Sequence, residues 1–197
     1  MENPRDLRYG SLPGFPLSSL GRTQAAAAGA WLGANGGSIR ALISSPLTRA
    51  VETAGALGVR LGLAVELDPR LLEARSTFDG LPRRAPADPR RWWAFRDPLT
   101  PSWGEPFREV AGRLREVVLE VEARYRGSGA VLVSHQSPIW LARLSFERGL
   151  GVLGRPGGRL PPWVWGRVRC SHASVTTLLF RGGRFVTSLH STPAVDG

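Results

Sequence analysis

The stretch IRALISSPLTRAVETAGALG, Ile39 to Gly58, joins a strand to a helix with almost no loop between them. Ile39 to Ser45 is a short apolar run without alternation, the pattern of a parallel strand buried on both faces. Pro46 suits a first helical turn, and the helical run after it is expected to stop near Gly58. Parallel strands are joined by crossovers, so this unit points to an α/β sheet covered by helices.

The flanking segments repeat the alternation. PLSSLGRTQAAAAGAWLG reads as a helix capped by Ser18 or Ser19 and ending at Gly33. AVELD, Ala64 to Asp68, reads as a second short strand. PFREVAGRLREVVLEVEARYRG carries Phe107, Val110, Leu114, Val117, Val118 and Val121 at helical spacing and closes at Gly127. GAVLVSH, Gly129 to His135, is the clearest buried strand, and SPIWLARLSFERGLG follows it as a helix. ASVTTLLF and RFVTSLH flank Gly182 and Gly183 as a tight hairpin. The expected fold is one α/β domain over residues 1–197, with a mostly parallel sheet. Residues 76–105, irregular and rich in proline, with Trp92, Trp93 and Trp103, read as a lid or insertion within it.

Composition narrows the function. At 197 residues and 42% hydrophobic the chain has material for one substantial core. No apolar stretch approaches a membrane span, so no membrane partner is expected. The single cysteine, Cys170, fits a reducing compartment and a cytoplasmic location. The net charge of +10 is carried entirely by arginine, spread along the chain. GC-rich codon usage or a preference for anionic ligands explains it better than dedicated nucleic-acid binding, for which no module is present.

In parallel sheets ligands bind beyond the C-terminal strand ends. Ser44–Arg49 and Ser134–Gln136 sit there. Arg49, in a first helical turn, combines a guanidinium fork with the free N–H groups of a helix N-terminus and would hold a phosphate. His135 ends its strand toward the same crevice, and Glu73 in PRLLEAR follows the second strand. An arginine, a histidine and a glutamate meeting at three strand ends point to anion chemistry.

In order, PLSSLGRTQA, SSPLTRAVETA, LDPRLLEARSTFDGL, WGEP, VLVSHQSPI and ASVTTLLF resemble the histidine phosphatase superfamily, also called phosphoglycerate mutase-like, over nearly the whole chain. SSPLTRAVETA and VLVSH are the specific parts. The resemblance implies a three-layer α/β/α sandwich and hydrolysis of a small phosphorylated substrate through a phosphohistidine, with no metal or other cofactor. It gives Arg49 the phosphate, His135 binding and charge stabilisation, and Glu73 protonation of the leaving oxygen. Asn3, Tyr9, Gly10, Gln136 and His172 would line the pocket. Glu105 would support it, or would merely complement the dipole of its helix.

One departure stands out. The family's nucleophile is a histidine in an Arg-His-Gly motif closing the first strand, and this chain has no such motif. Leu7-Arg8-Tyr9-Gly10 imitates it with tyrosine, but MENPRD cannot be the strand before it. Registering Glu2-Asn3 as the end of the family's Arg-His-Gly-Glu-x-x-Asn pattern makes Met1–Phe15 the loop after the nucleophile. On that registration the natural start lies upstream, the first strand is missing, and the chain by itself is inactive or strongly impaired. The resemblance favours a hydrolase over a mutase. The alternative is a catalytically inactive phosphate-binding or scaffold protein of the same fold. Neither the substrate nor the oligomeric state is legible.

Overall fold

The computed structural model describes residues 1–83, 104–153 and 170–193. Helix α1, Ser19–Asn35, is followed by strand β1, Ile39–Ser44, helix α2, Thr48–Leu61, and strand β2, Val65–Leu67. Helix α3 spans Phe107–Arg124, strand β3 Gly129–Val133 and helix α4 Gln136–Arg148, before strands β4, Val175–Arg181, and β5, Arg184–Ser191. Parallel ladders set the order β2-β1-β3, with Leu42 opposite Val65 on one side and Val131 on the other. β4 and β5 form a separate antiparallel pair. Gly182 and Gly183 have φ of 57° and 77°, as a two-residue hairpin turn requires.

Successive residues of β1 point to opposite faces, and the core follows them. Leu42 packs with Ala28, Leu32, Ala54 and Leu57 of α1 and α2. Ile43 packs with Leu114, Val117, Val121 and Ala142 of α3 and α4. Helices therefore cover the parallel sheet on both faces, the α/β/α layering expected.

Two boundaries differ from expectation. Helix α2 runs past Gly58 to Leu61 and ends on Gly62, whose φ of 69° is left-handed. A Cβ on Gly58 would lie 2.7 Å from the Leu63 carbonyl, so this glycine permits close helix–strand packing instead of stopping the helix. Strand β3, the apparent candidate for full burial, is half-buried at every position. Its cause is topological. Gly129 donates to the Ser38 carbonyl at 2.7 Å, and the Val133 carbonyl accepts from Ser45 N–H at 2.9 Å. Alternation then turns the backbone groups of Gly129, Val131 and Val133 toward β1, and those of Ala130 and Leu132 toward the other edge. Among the described residues β3 has no second strand partner.

Candidate active site

The C-terminal ends of β1 and β3 run directly into α2 and α4. The N-cap residues Leu47 and His135 make no side-chain cap bond, and in the first turn of α4 the Ser137 N–H is taken by the Glu73 carboxylate. Buried Arg49, in the first turn of α2, donates to the Leu12 carbonyl at 3.2 Å and to the Gly10 carbonyl. Its guanidinium also lies 5.4 Å from the centroid of the Tyr9 ring, which stacks on Phe15. Burial lowers the Arg49 pKa, and Glu73, Tyr9 and Asp79 oppose that shift.

His135 is the N-cap residue of α4 and is buried, with Nε2 2.8 Å from the hydroxyl of fully buried Ser45. Burial, followed by the charges of Arg49 and Arg113, brings its pKa down to about 3. The imidazole is therefore neutral at physiological pH, with a single N–H to donate. Glu73 follows the short 3₁₀ turn Pro69–Leu71 that ends β2. Burial pushes its carboxyl pKa up, against the Ala74 N–H at 2.9 Å, the hydrogen bonds from Ser137, and the charge of Arg49. A carboxyl that holds its proton longer than usual is suited to general-acid work.

Arg49, Glu73 and His135 line one cavity, and Asn3, Tyr9, Gly10, Gln136 and His172 line it too. Asn3 closes its own loop, exchanging hydrogen bonds of 2.8 and 3.0 Å with the Leu7 backbone. Gln136 donates to the Cys170 carbonyl at 3.2 Å, and His172 is exposed at the rim. Glu105, expected to support the pocket or to complement its helix dipole, is held in an ion pair. Its buried carboxylate receives both arms of Arg113, at 2.9 and 3.1 Å, and does not line the cavity. Arg113 also donates to the Arg70 carbonyl at 2.5 Å, so the pair ties the segment before α3 to the end of β2. His190 lies on exposed β5, where its ring meets Thr176.

Three contributors escaped the sequence reading. Ser45 follows β1 without any motif to mark its contact with His135. Arg113 falls on the inward stripe of α3 between Val110 and Val117, where a cation needs a buried partner, and that position was the available signal. Asp79 accepts from the N–H of Ser11 at 2.9 Å and from its hydroxyl at 2.5 Å, pinning the N-terminal loop beside Arg49. Most of the lid expected over residues 76–105, including Trp92, Trp93 and Trp103, lies outside the described residues.

Comparison with known proteins agrees with this geometry. The pattern of the histidine phosphatase superfamily (branch 1) matches residues 1–192. The chain belongs to the histidine phosphatase superfamily. An uncharacterised Mycobacterium tuberculosis protein, Rv0525, is 43% identical over 98% of this chain and 92% of its own length. The glucosyl-3-phosphoglycerate phosphatase of M. tuberculosis is 42% identical over 54% of this chain, which spans about half (49%) of that relative. A structure of the mycobacterial glucosyl-3-phosphoglycerate phosphatase with VO3 superposes with a TM-score of 0.62 at 34% identity, covering 76% of this chain and 78% of that one. Bacillus stearothermophilus YhfR shares the fold over 93% of this chain and 87% of its own, with a TM-score of 0.73 at 24% identity.

Proposed function

We propose that this chain carries the phosphate-binding and proton-donating half of a phosphomonoesterase acting on a small phosphorylated molecule. The observation that carries the reading is Glu73, a carboxyl with a raised pKa held by Ser137 at the start of α4, in one cavity with the Arg49 guanidinium and His135. Arg49 at the start of α2 holds the phosphoryl oxygens, and neutral His135 donates its one N–H to them. A nucleophilic imidazole attacks phosphorus, the P–O ester bond breaks, and Glu73 gives its proton to the departing oxygen. Water then hydrolyses the phosphoimidazole, releasing phosphate and a proton that returns to Glu73. No metal takes part in this scheme.

His135 is turned to Ser45, and the chain contains no Arg-His-Gly segment. We therefore assign the attacking imidazole to neither His135, His172 nor His190. Free imidazole supplies the test. Hydrolysis of p-nitrophenyl phosphate is expected to be near background alone and to rise at least about tenfold with added imidazole. The rise should vanish in Arg49→Ala and weaken in Glu73→Gln. Inorganic phosphate binding without imidazole-dependent turnover would overturn the hydrolase reading and assign a recognition role. Absence of phosphate binding in the folded chain would overturn both. The name of the mycobacterial relative makes a phosphorylated sugar acid the first natural substrate to try.

A further inference from the structure

Ser45 and His135 stand just past neighbouring strand ends. The Ser45 N–H donates to the Val133 carbonyl at 2.9 Å, which fixes the residue after β1 against the last residue of β3. Across that register the Ser45 hydroxyl lies 2.8 Å from His135 Nε2, and the serine is completely buried. The neighbouring serines spend their hydroxyls on backbone. Ser44 donates to the Ser45 carbonyl at 2.9 Å, and Ser134 to the Leu71 carbonyl at 2.8 Å. Ser45, in contrast, faces a titratable ring.

Proton counting decides the direction of that contact. A neutral imidazole carries one N–H and one bare lone pair. With the proton on Nε2, the Ser45 oxygen accepts from Nε2 and from the Leu47 N–H at 3.4 Å, and its own proton has no acceptor among the described hydrogen bonds. A buried hydroxyl proton without an acceptor is costly. With the proton on Nδ1, Ser45 donates to Nε2 and still accepts from Leu47, so both groups are satisfied. Nδ1 makes no cap bond to α4, and His135 lines the cavity, which leaves the Nδ1–H for a ligand. We propose that Ser45 is a positioning residue that holds His135 as the Nδ1–H tautomer and turns that N–H to the phosphoryl oxygens. Only the second half, the phosphoryl contact, rests on the phosphatase reading. The tautomer also closes both ring nitrogens to attack on phosphorus. Nε2 spends its lone pair on Ser45 and Nδ1 carries hydrogen, so His135 binds the anion and does not replace the attacking imidazole.

Long-range proton–nitrogen correlation NMR of the whole chain at neutral pH reads the tautomer directly, because protonated and bare ring nitrogens resonate far apart. His135→Gln assigns the signals. Nδ1 of His135 should be protonated and Nε2 bare, and added inorganic phosphate should move the Nδ1 signal more than the Nε2 signal. Ser45→Ala should turn the single tautomer into a mixture and weaken inorganic phosphate binding about tenfold by calorimetry. Ser45→Thr, which keeps the hydroxyl, should restore the tautomer and most of the affinity. Urea unfolding of each variant separates a lost fold from a lost hydrogen bond.

A protonated Nε2 in the unsubstituted chain overturns the proposal, whether or not phosphate binds. So does a single Nδ1–H tautomer that persists in folded Ser45→Ala, since another group then sets it. Phosphate affinity unchanged by Ser45→Ala overturns the positioning role. A protonated Nδ1 in a folded chain that binds no phosphate counts against the phosphatase reading alone and leaves the tautomer assignment standing.

Discussion

Arg49 donates to the backbone carbonyls of Gly10 and Leu12, so a phosphate competes with two neutral acceptors for one guanidinium. Charge-assisted hydrogen bonds contribute about 1.5–3 kcal/mol each, which favours the anion. Arg49→Ala should weaken phosphate binding about 10- to 100-fold by calorimetry, and Arg49→Lys, which keeps charge without the fork, should recover only part. His135 makes a second prediction, in pH. Its native pKa of about 3 lies below the ordinary value of 6.5, so the folded state binds fewer protons than the unfolded state between them. Stability from this group is complete above about pH 6.5 and is lost as pH falls toward 3, by up to about 1.4 kcal/mol per pH unit. Urea unfolding across that window should show the slope, and His135→Gln should flatten it. That Arg49 and His135 line one cavity was legible because both follow strand ends of one parallel sheet. The pairing of Glu105 was not legible because its neighbour in space, Arg113, stands eight positions along the chain, and nothing local pairs them.

Helix ends decide how the elements meet, and glycine played two parts that look alike in sequence. Gly58 and Gly62 both follow an apolar stretch of α2, yet only Gly62 is left-handed. Gly58 is set by the approach of Leu63, which depends on how β2 docks and cannot be read locally. Substituting Ala at Gly62 should cost about 1 kcal/mol through the strained φ. The ion pair that anchors the start of α3 should cost more. Arg113 and Glu105 are both largely buried, and removing one partner leaves an uncompensated charge. Arg113→Ala is expected to destabilise by about 3 kcal/mol or more in urea unfolding. Replacing both residues by apolar ones should restore much of that. A double loss no smaller than the sum of the singles would rule out the pairing as its cause.

Across the molecule, the alternation of strands and helices predicted the layered sheet, because each crossover is a local event. The break between β3 and β4 was not readable from periodicity, since GAVLVSH has the composition of a strand paired on both sides. Its surroundings, not its residues, leave it half-buried. That difference has a measurable signature without any added ligand. β1 is paired on both sides and walled by both helical layers, so its amides should exchange slowest of the sheet. Along β3, Gly129, Val131 and Val133 point their N–H groups at β1, whereas Ala130 and Leu132 point theirs at the cavity. Exchange along this strand should therefore alternate, slow at Val131 and Val133 and faster at Ala130 and Leu132 by an order of magnitude or more. Uniform protection along β3 would mean that its outer edge is paired, and uniform lability that the ladder to β1 opens as a unit. Residue-resolved exchange measured by NMR at a pH above 6.5, where His135 does not itself weaken the fold, separates the three patterns.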